Sequence, residues 1–241
     1  MDCYICRKEL TGKYYIDWWN HKICESHLNN DVVSCSSCNG FTKKDIVLSD
    51  GRVLCHVCMD NAIKPGDSIE FIKSSVVNTL NKAGFDDLRT EDISIEIVSA
   101  EKMAEIRKSS VNIQNKGLTL SNMISSFGLL SGKNQKFRHT VYMLTHLTKI
   151  EFAGVLAHET LHAWQVQNNI KMSSKLTEGL CNMGTYLIYQ TMPSSLTKIY
   201  LKILHESSDP IYGDGFREVY AHFEELGWQD LIRKIRENKT I

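Results

Sequence analysis

The chain has 241 residues, 42% of them apolar and 23% charged, the balance of an ordinary folded protein rather than a disordered or membrane-embedded one. Its 28 Lys and Arg match 28 Asp and Glu, which disfavours nucleic acid and anionic membrane surfaces as partners. The length holds one catalytic domain of about 150 to 200 residues and a small second unit.

The N-terminus, Met1-Asp2-Cys3-Tyr4-Ile5-Cys6, lacks the basic stretch and apolar core of a secretory signal, and no apolar run reaches membrane-spanning length. A cytoplasmic location with reduced thiols is therefore expected, and the cysteines need a role other than disulfides. Seven of the eight lie between Cys3 and Cys58. Cys35-x2-Cys38 followed after sixteen residues by Cys55-x2-Cys58 has the paired-knuckle spacing of tetrahedral structural zinc. Upstream, Cys3-x2-Cys6 is followed after seventeen residues by Cys24-x2-His27, a second set of four. His21 also stands three residues from Cys24 and competes with His27 as the fourth ligand; His56 reads as a bystander. Closed four-ligand sites leave no open position for water, so both zincs are expected to hold the fold. Residues 1–66 carry eight Lys and Arg against eight Asp and Glu, so a regulatory protein rather than DNA is the expected partner of this module. Trp18 and Trp19 offer a contact patch, unless one packs over the knuckles of so small a core.

The turn signal in Ile63-Lys64-Pro65-Gly66-Asp67-Ser68 places a boundary near residue 66, giving domains 1–66 and 67–241. Apolar spacing predicts a helix over 68–83. Alternation predicts a strand at Ile93-Ser94-Ile95-Glu96-Ile97-Val98, and composition a helix at Glu101 to Lys108. Weaker strand patterns run from Gly117 to Phe127 and from Arg138 to Leu144. The latter is expected to form the sheet edge along which an extended substrate lies, by analogy with zincins. Helices are predicted over 151–169, 176–191, 194–206, 215–226 and 228–238, so the whole reads as α+β.

His158-Glu159-Thr160-Leu161-His162 lies inside the first of that last group of helices, whose Phe152, Val155, Leu156, Leu161 and Trp164 supply a packing surface. Two histidines four apart project from one helical face and can grip one ion. Glu159, one step round, can hold a zinc-bound water, take its proton as it attacks a carbonyl, and pass that proton to the leaving amine. A catalytic zinc needs a third protein ligand and one open position. Glu178, sixteen positions after His162 in Leu176-Thr177-Glu178-Gly179-Leu180-Cys181, is the first candidate; Glu151, His146 and His139 precede the motif and rank behind it, and Cys181 reads as a core residue. For an oxyanion donor the choice is Tyr212 in Tyr212-Gly213-Asp214-Gly215-Phe216-Arg217, where the glycines suggest a tight turn before a helix; Arg217 and His222 follow. Asp214 is expected to cap that helix or to orient a zinc-bound histidine.

Taken together, Cys24-Glu25-Ser26-His27, Ser49-Asp50-Gly51-Arg52-Val53-Leu54-Cys55, Leu156 to Trp164, Glu178-Gly179-Leu180-Cys181 and Tyr212 to Arg217 resemble the C-terminal half of the plant LIM-domain metallopeptidases that restrict seed and organ size. That resemblance implies a two-zinc LIM-like module before a zincin-type, gluzincin-like metallopeptidase domain. It favours His27 over His21, supports Glu178, and implies a peptidase that cuts selected protein or peptide substrates. Three zinc ions are thus expected, one catalytic and two structural. The chain as given begins at the zinc module, without the ubiquitin-interacting helices and first LIM domain that lie upstream in the family. The gap from His27 to Cys35 exceeds the two-residue spacer of a standard LIM domain, hence LIM-like. The alternative readings are a non-catalytic, zinc-stabilised protein-binding module, against which an intact Glu159 counts, and a zinc hydrolase of a non-peptide bond.

Overall fold

A computed structural model describes residues 1–28, 30–124 and 136–241. Two short antiparallel pairs build the Cys-rich residues: β1 (Tyr14–Ile16) with β2 (Lys22–Cys24), and β3 (Val32–Ser34) with β4 (Phe41–Lys43). A one-turn helix, α1 (His56–Asp60), ends this part. Both pairs contribute to a first small core around Cys3, Ile23, Val32 and Phe41, and a second core gathers Cys35, Cys38, Leu54 and Cys58. Trp19 closes over the second, its indole Nε1 donating to the Cys38 carbonyl at 2.8 Å, while Trp18 stays exposed with the Lys202 ammonium 5.1 Å from its ring.

Beyond them come α2 (Glu70–Ala83), β5 (Ile93–Val98), α3 (Ala100–Arg107), β6 (Gly117–Ile124) and β7 (Lys136–Leu144). Four helices follow: α4 (Lys149–Gln167), α5 (Ser174–Thr191), α6 (Ser195–Glu206) and α7 (Tyr212–Asn238). The chain is thus mixed α+β and mainly helical after β7. Ser99, Thr148, Ser173 and Ser194 cap α3 to α6 by accepting backbone N–H bonds, which satisfies donors that each first turn leaves free. The two C-terminal helices expected on either side of residue 227 are both present, meeting at Gly227, whose φ of 74° and ψ of 171° break the helical path. The expected strand from Gly117 ends at Ile124 in the described residues; 125–127 lie outside them.

The sheet order is β5-β7-β6, parallel between β5 and β7 and antiparallel between β7 and β6. This corrects the expectation that Arg138 to Leu144 forms the edge. β7 is the central strand, with Val141 and Met143 fully buried, and an interior strand must bury what an edge can expose. The edge beside α4 is β6, whose outer residues Leu120 to Ile124 are exposed.

α4 crosses the middle of the core, burying Phe152, Leu156, Ala157, Leu161 and Trp164 completely or nearly so. Such a helix, apolar on most faces, is stabilised by packing rather than by its polar side. Its C-terminal end is tied by Trp164, whose indole donates to Asp87 at 2.7 Å, and Asp87 in turn pairs with Arg236 of α7 at 2.6 Å.

α5 and α7 meet through glycine. A Cβ on Gly179 would strike the Gly215 carbonyl, and one on Gly215 would strike the Lys175 carbonyl. This corrects the tight turn expected at 212–217: Gly213 and Gly215 lie in the first turns of α7, and neither has positive φ. They are there for close backbone approach rather than for turning the chain.

Several bonds join the Cys-rich part to the rest. Arg52, clamped by Asp50 through its backbone N–H and its Nε, donates from Nη2 to the Thr145 carbonyl at 2.7 Å. Ser37, inside the Cys35–Cys38 knuckle, donates to Glu151 at 2.9 Å and accepts from the Tyr200 hydroxyl at 2.9 Å. No helix among the described residues is long and apolar enough to cross a membrane.

Candidate metal centres

Four donors from Cys3, Cys6, Cys24 and His27 converge in the first core, and four from Cys35, Cys38, Cys55 and Cys58 in the second. Ligands about 2.3 Å from a tetrahedral zinc stand ~3.8 Å apart. The sulfur separations are 3.9 Å for Cys6–Cys24, 3.7 Å for Cys3–Cys24 and 3.9 Å for Cys38–Cys55, far from the ~2.05 Å of a disulfide. The choice between His21 and His27 is decided by what each ring touches. His21 is bound to Asp17 at 2.9 Å and stacks on Tyr4, whereas His27 anchors Nδ1 on Asp31 at 2.8 Å and buries an Nε2 with no hydrogen-bond partner beside the sulfurs. Both sets therefore fit zinc and are consistent with a two-zinc LIM module.

On α4 the i, i+4 spacing sets His158 and His162 side by side, their Nε2 atoms 3.2 Å apart. Glu178, from the second turn of α5, brings Oε2 to 3.1 Å from His158 Nε2 and 3.4 Å from His162 Nε2. Three N and O donors at about 2.0 to 2.1 Å from one tetrahedral ion stand ~3.3 Å apart, so this donor set also fits zinc. Burial opposes ionisation of Glu178, but the two imidazoles outweigh it and hold the carboxyl down to about 2. Burial likewise opposes charge on both imidazoles, and the facing carboxylate overrides it and raises them. The three groups form a spot that draws positive charge. Cys181 Sγ lies within 4.8 Å of both histidines as well, but it is fully buried, accepts from Gln165 Nε2 at 3.0 Å, and has its thiol pushed up by burial. Glu178, at 3.1 and 3.4 Å from the two rings, is the donor already ionised.

Glu159, one step round α4 from His158, reaches toward β6. Thr119 Oγ1 lies 2.8 Å from its Oε2, and a Cβ on Gly117 would come within 2.5 Å of its Oε1, so the glycine makes room for the carboxylate. Tyr212 stands at the start of α7, half exposed, its ring near-parallel to His158 with centroids 6.4 Å apart. Burial raises its phenol pKa, so the hydroxyl keeps its proton.

Of the weaker candidates, none joins these residues. Arg217 is spent on the carbonyls of His205 and Ser207 and on Asp214, and His222 stands ten residues further along α7, ~15 Å at 1.5 Å per residue. Glu151 is buried against Ser37 and Lys116, His146 bonds Thr145, and His139 bonds Ser121 across the sheet. The two roles expected of Asp214 fall to other residues. Asp209 Oδ1 accepts the Ile211 and Tyr212 N–H groups at the start of α7, and Asn182 Oδ1 meets His158 Nδ1 at 3.0 Å. Asn182 also donates to the Tyr212 carbonyl at 3.0 Å. It lies four residues after Glu178, the helical spacing that would have revealed it; Thr119, Gly117 and Arg107 come from β6 and α3, and nothing local marks them.

Two adjoining hollows, of about 550 and 600 Å3, open from this point. Both are walled by Arg107, Gly117, His158, Glu159 and Tyr212, so those five residues mark their junction.

Comparison with known proteins agrees with the N-terminal clusters. The chain is 21% identical over 282 residues to LIM domain-containing protein HDR3 of Oryza sativa subsp. japonica, covering 91% of this chain and 56% of that protein. It is 22% identical over 274 residues to Protein DA1 of Arabidopsis thaliana, with 91% and 51% covered, and 23% identical over 197 residues to Protein DA1-related 2, with 70% and 37% covered. It is thus a distant homologue of these plant proteins over most of its length, and spans about half the length of the curated relatives it matches. No family model matches the chain, and no solved structure matches it significantly.

Proposed function

We propose that this chain is a zinc metallopeptidase that cuts peptide bonds in selected protein substrates, with residues 1–66 a two-zinc LIM-like module and 67–241 a zincin-type, gluzincin-like domain. The observation that carries it is the geometry of His158, His162 and Glu178, whose donor atoms stand 3.1 to 3.4 Å apart with Glu159 on the neighbouring position of the same helix. A zinc held by these three would supply Lewis acidity, polarising a substrate carbonyl and lowering the pKa of water.

Glu159 does the proton work. Thr119 holds Oε2, which leaves Oε1 to take a proton from the attacking water and return it to the leaving amine. Asn182 holds His158 by its other nitrogen, and so fixes which nitrogen of the ring faces the donor set. Tyr212, protonated and near-parallel to the His158 ring, donates to the oxyanion. An extended substrate lies along β6, the exposed edge next to α4. The distant homology to the plant LIM domain-containing protein supports the module.

Glu159→Gln removes the base without removing a ligand. It is expected to keep about three zinc ions per chain, two of them resistant to mild chelation, and to lose nearly all turnover. Sequencing new protein N-termini in a cell lysate treated with wild type and with this variant tests it. Termini appearing equally with both proteins, or with neither, contradict peptidase action.

A further inference from the structure

The charges around the junction of the two hollows do not balance once their duties are assigned. Glu159 and Glu178 belong to the proposed reaction, and Asp209 Oδ1 is occupied by the backbone of Ile211 and Tyr212. Lys116 is paired with Glu151 at 2.7 Å. Arg107, the last residue of α3, is left over. It walls both hollows beside Glu159 and Tyr212, and its sole hydrogen bond among the described residues is a long one, 3.4 Å from Nη1 to the Gly117 carbonyl. No carboxylate of the described residues pairs with it, and residues 29 and 125–135 contain no Asp or Glu. Lys171, on the wall of one hollow, adds a second positive charge.

We infer that Arg107 is a specificity residue that selects substrates carrying an Asp or Glu side chain next to the cleaved bond. The inference rests on the peptidase reading and adds the substrate class to it. A guanidinium offers a planar fork that a carboxylate can meet with two parallel bonds, and a weak hold on one carbonyl leaves most of its five donors free. The Gly117 contact sets that fork at the start of β6, where a strand laid along the edge passes the junction. Lysine or arginine at the same substrate position would face Arg107 and be rejected by like charge, so the selection works in both directions.

The test uses the zinc-loaded full chain and a library of unstructured peptides, with cleavage sites read by mass spectrometry. Wild type is expected to enrich Asp and Glu about tenfold over Lys and Arg at one position flanking the cut. Arg107→Gln should flatten that preference and Arg107→Glu should invert it at the same position. Cleavage with no acidic enrichment, or enrichment that survives Arg107→Glu, overturns the inference and leaves the peptidase reading standing. If wild type cuts no peptide, the peptidase reading fails instead, and selectivity is read as binding. Fluorescence anisotropy then compares peptides that differ only in Glu or Lys on the Glu159→Gln protein, with and without Arg107→Glu. Tighter binding of the Glu peptide that reverses with Arg107→Glu supports the inference, and equal affinities overturn it.

Discussion

Asn182 carries two bonds that nothing else in the site duplicates. Its Oδ1 meets His158 Nδ1 and its Nδ2 reaches the Tyr212 carbonyl, so one amide orients a proposed ligand and locates a proposed oxyanion donor. Outer partners of this kind usually change metal affinity about 10- to 100-fold when removed. Asn182→Ala is therefore expected to weaken zinc binding at His158, His162 and Glu178 on that scale in a competitive chelator titration, with the two Cys-rich sites unaffected. Asn182→Asp, which can still accept from the ring, should bind at least as tightly as wild type. Wild-type affinity in Asn182→Ala would reduce the residue to packing. His158, Glu159, His162 and Glu178 were legible in the sequence because each is marked by helical spacing or by an apolar helix around it. Thr119 and Arg107 were not. What places them is the contact of β6 with α4 and of α3 with the sheet, a tertiary fact with no local periodicity behind it.

The close pairing of α5 with α7 governs where Glu178 and Tyr212 stand relative to each other, because Gly179 follows Glu178 directly and Gly215 lies one turn past Tyr212. A methyl on Gly179 meets the Gly215 carbonyl and, at 3.0 Å, Val219 Cγ2. Alanine is the better helix former by about 1 kcal/mol, but a backbone carbonyl cannot swing aside as a side chain can. Gly179→Ala should thus lower stability by about 1–3 kcal/mol, seen as a fall in Tm, and should release the His158–His162–Glu178 zinc more readily. Gly12→Ala, where nothing lies within 4 Å, serves as the neutral control. The helices themselves were readable from apolar spacing and Gly or Pro punctuation. The order of the strands was not, since β7 and β6 differ in burial rather than in length or alternation, and burial depends on what packs against each face.

Across the whole molecule, the second Cys-rich cluster reaches the proposed cleft through polar groups. Ser37 sits between Cys35 and Cys38, bonds Glu151, and Glu151 bonds Lys116, the residue before Gly117. Ser37→Ala would leave a carboxylate that is only 3% exposed with one partner fewer, and leave the Tyr200 hydroxyl with only the longer bond to the Ser37 carbonyl at 3.3 Å. A loss of about 1–3 kcal/mol is expected in denaturant unfolding, with zinc content unchanged. A change under about 0.5 kcal/mol would show that the Ser37 link adds nothing measurable to the junction.

The same junction has a consequence for synthesis on the ribosome. Cys58, the last member of the second cluster, emerges about 140 residues before Leu196 and Tyr200, the α6 residues that pack on the second core and on Ser37. At roughly 5–20 residues per second, that is an interval of about 7–30 seconds. During it the knuckle around Trp19 and Leu54 lacks its α6 cover, so if the cluster loads its metal early it has to hold together before that partner surface exists.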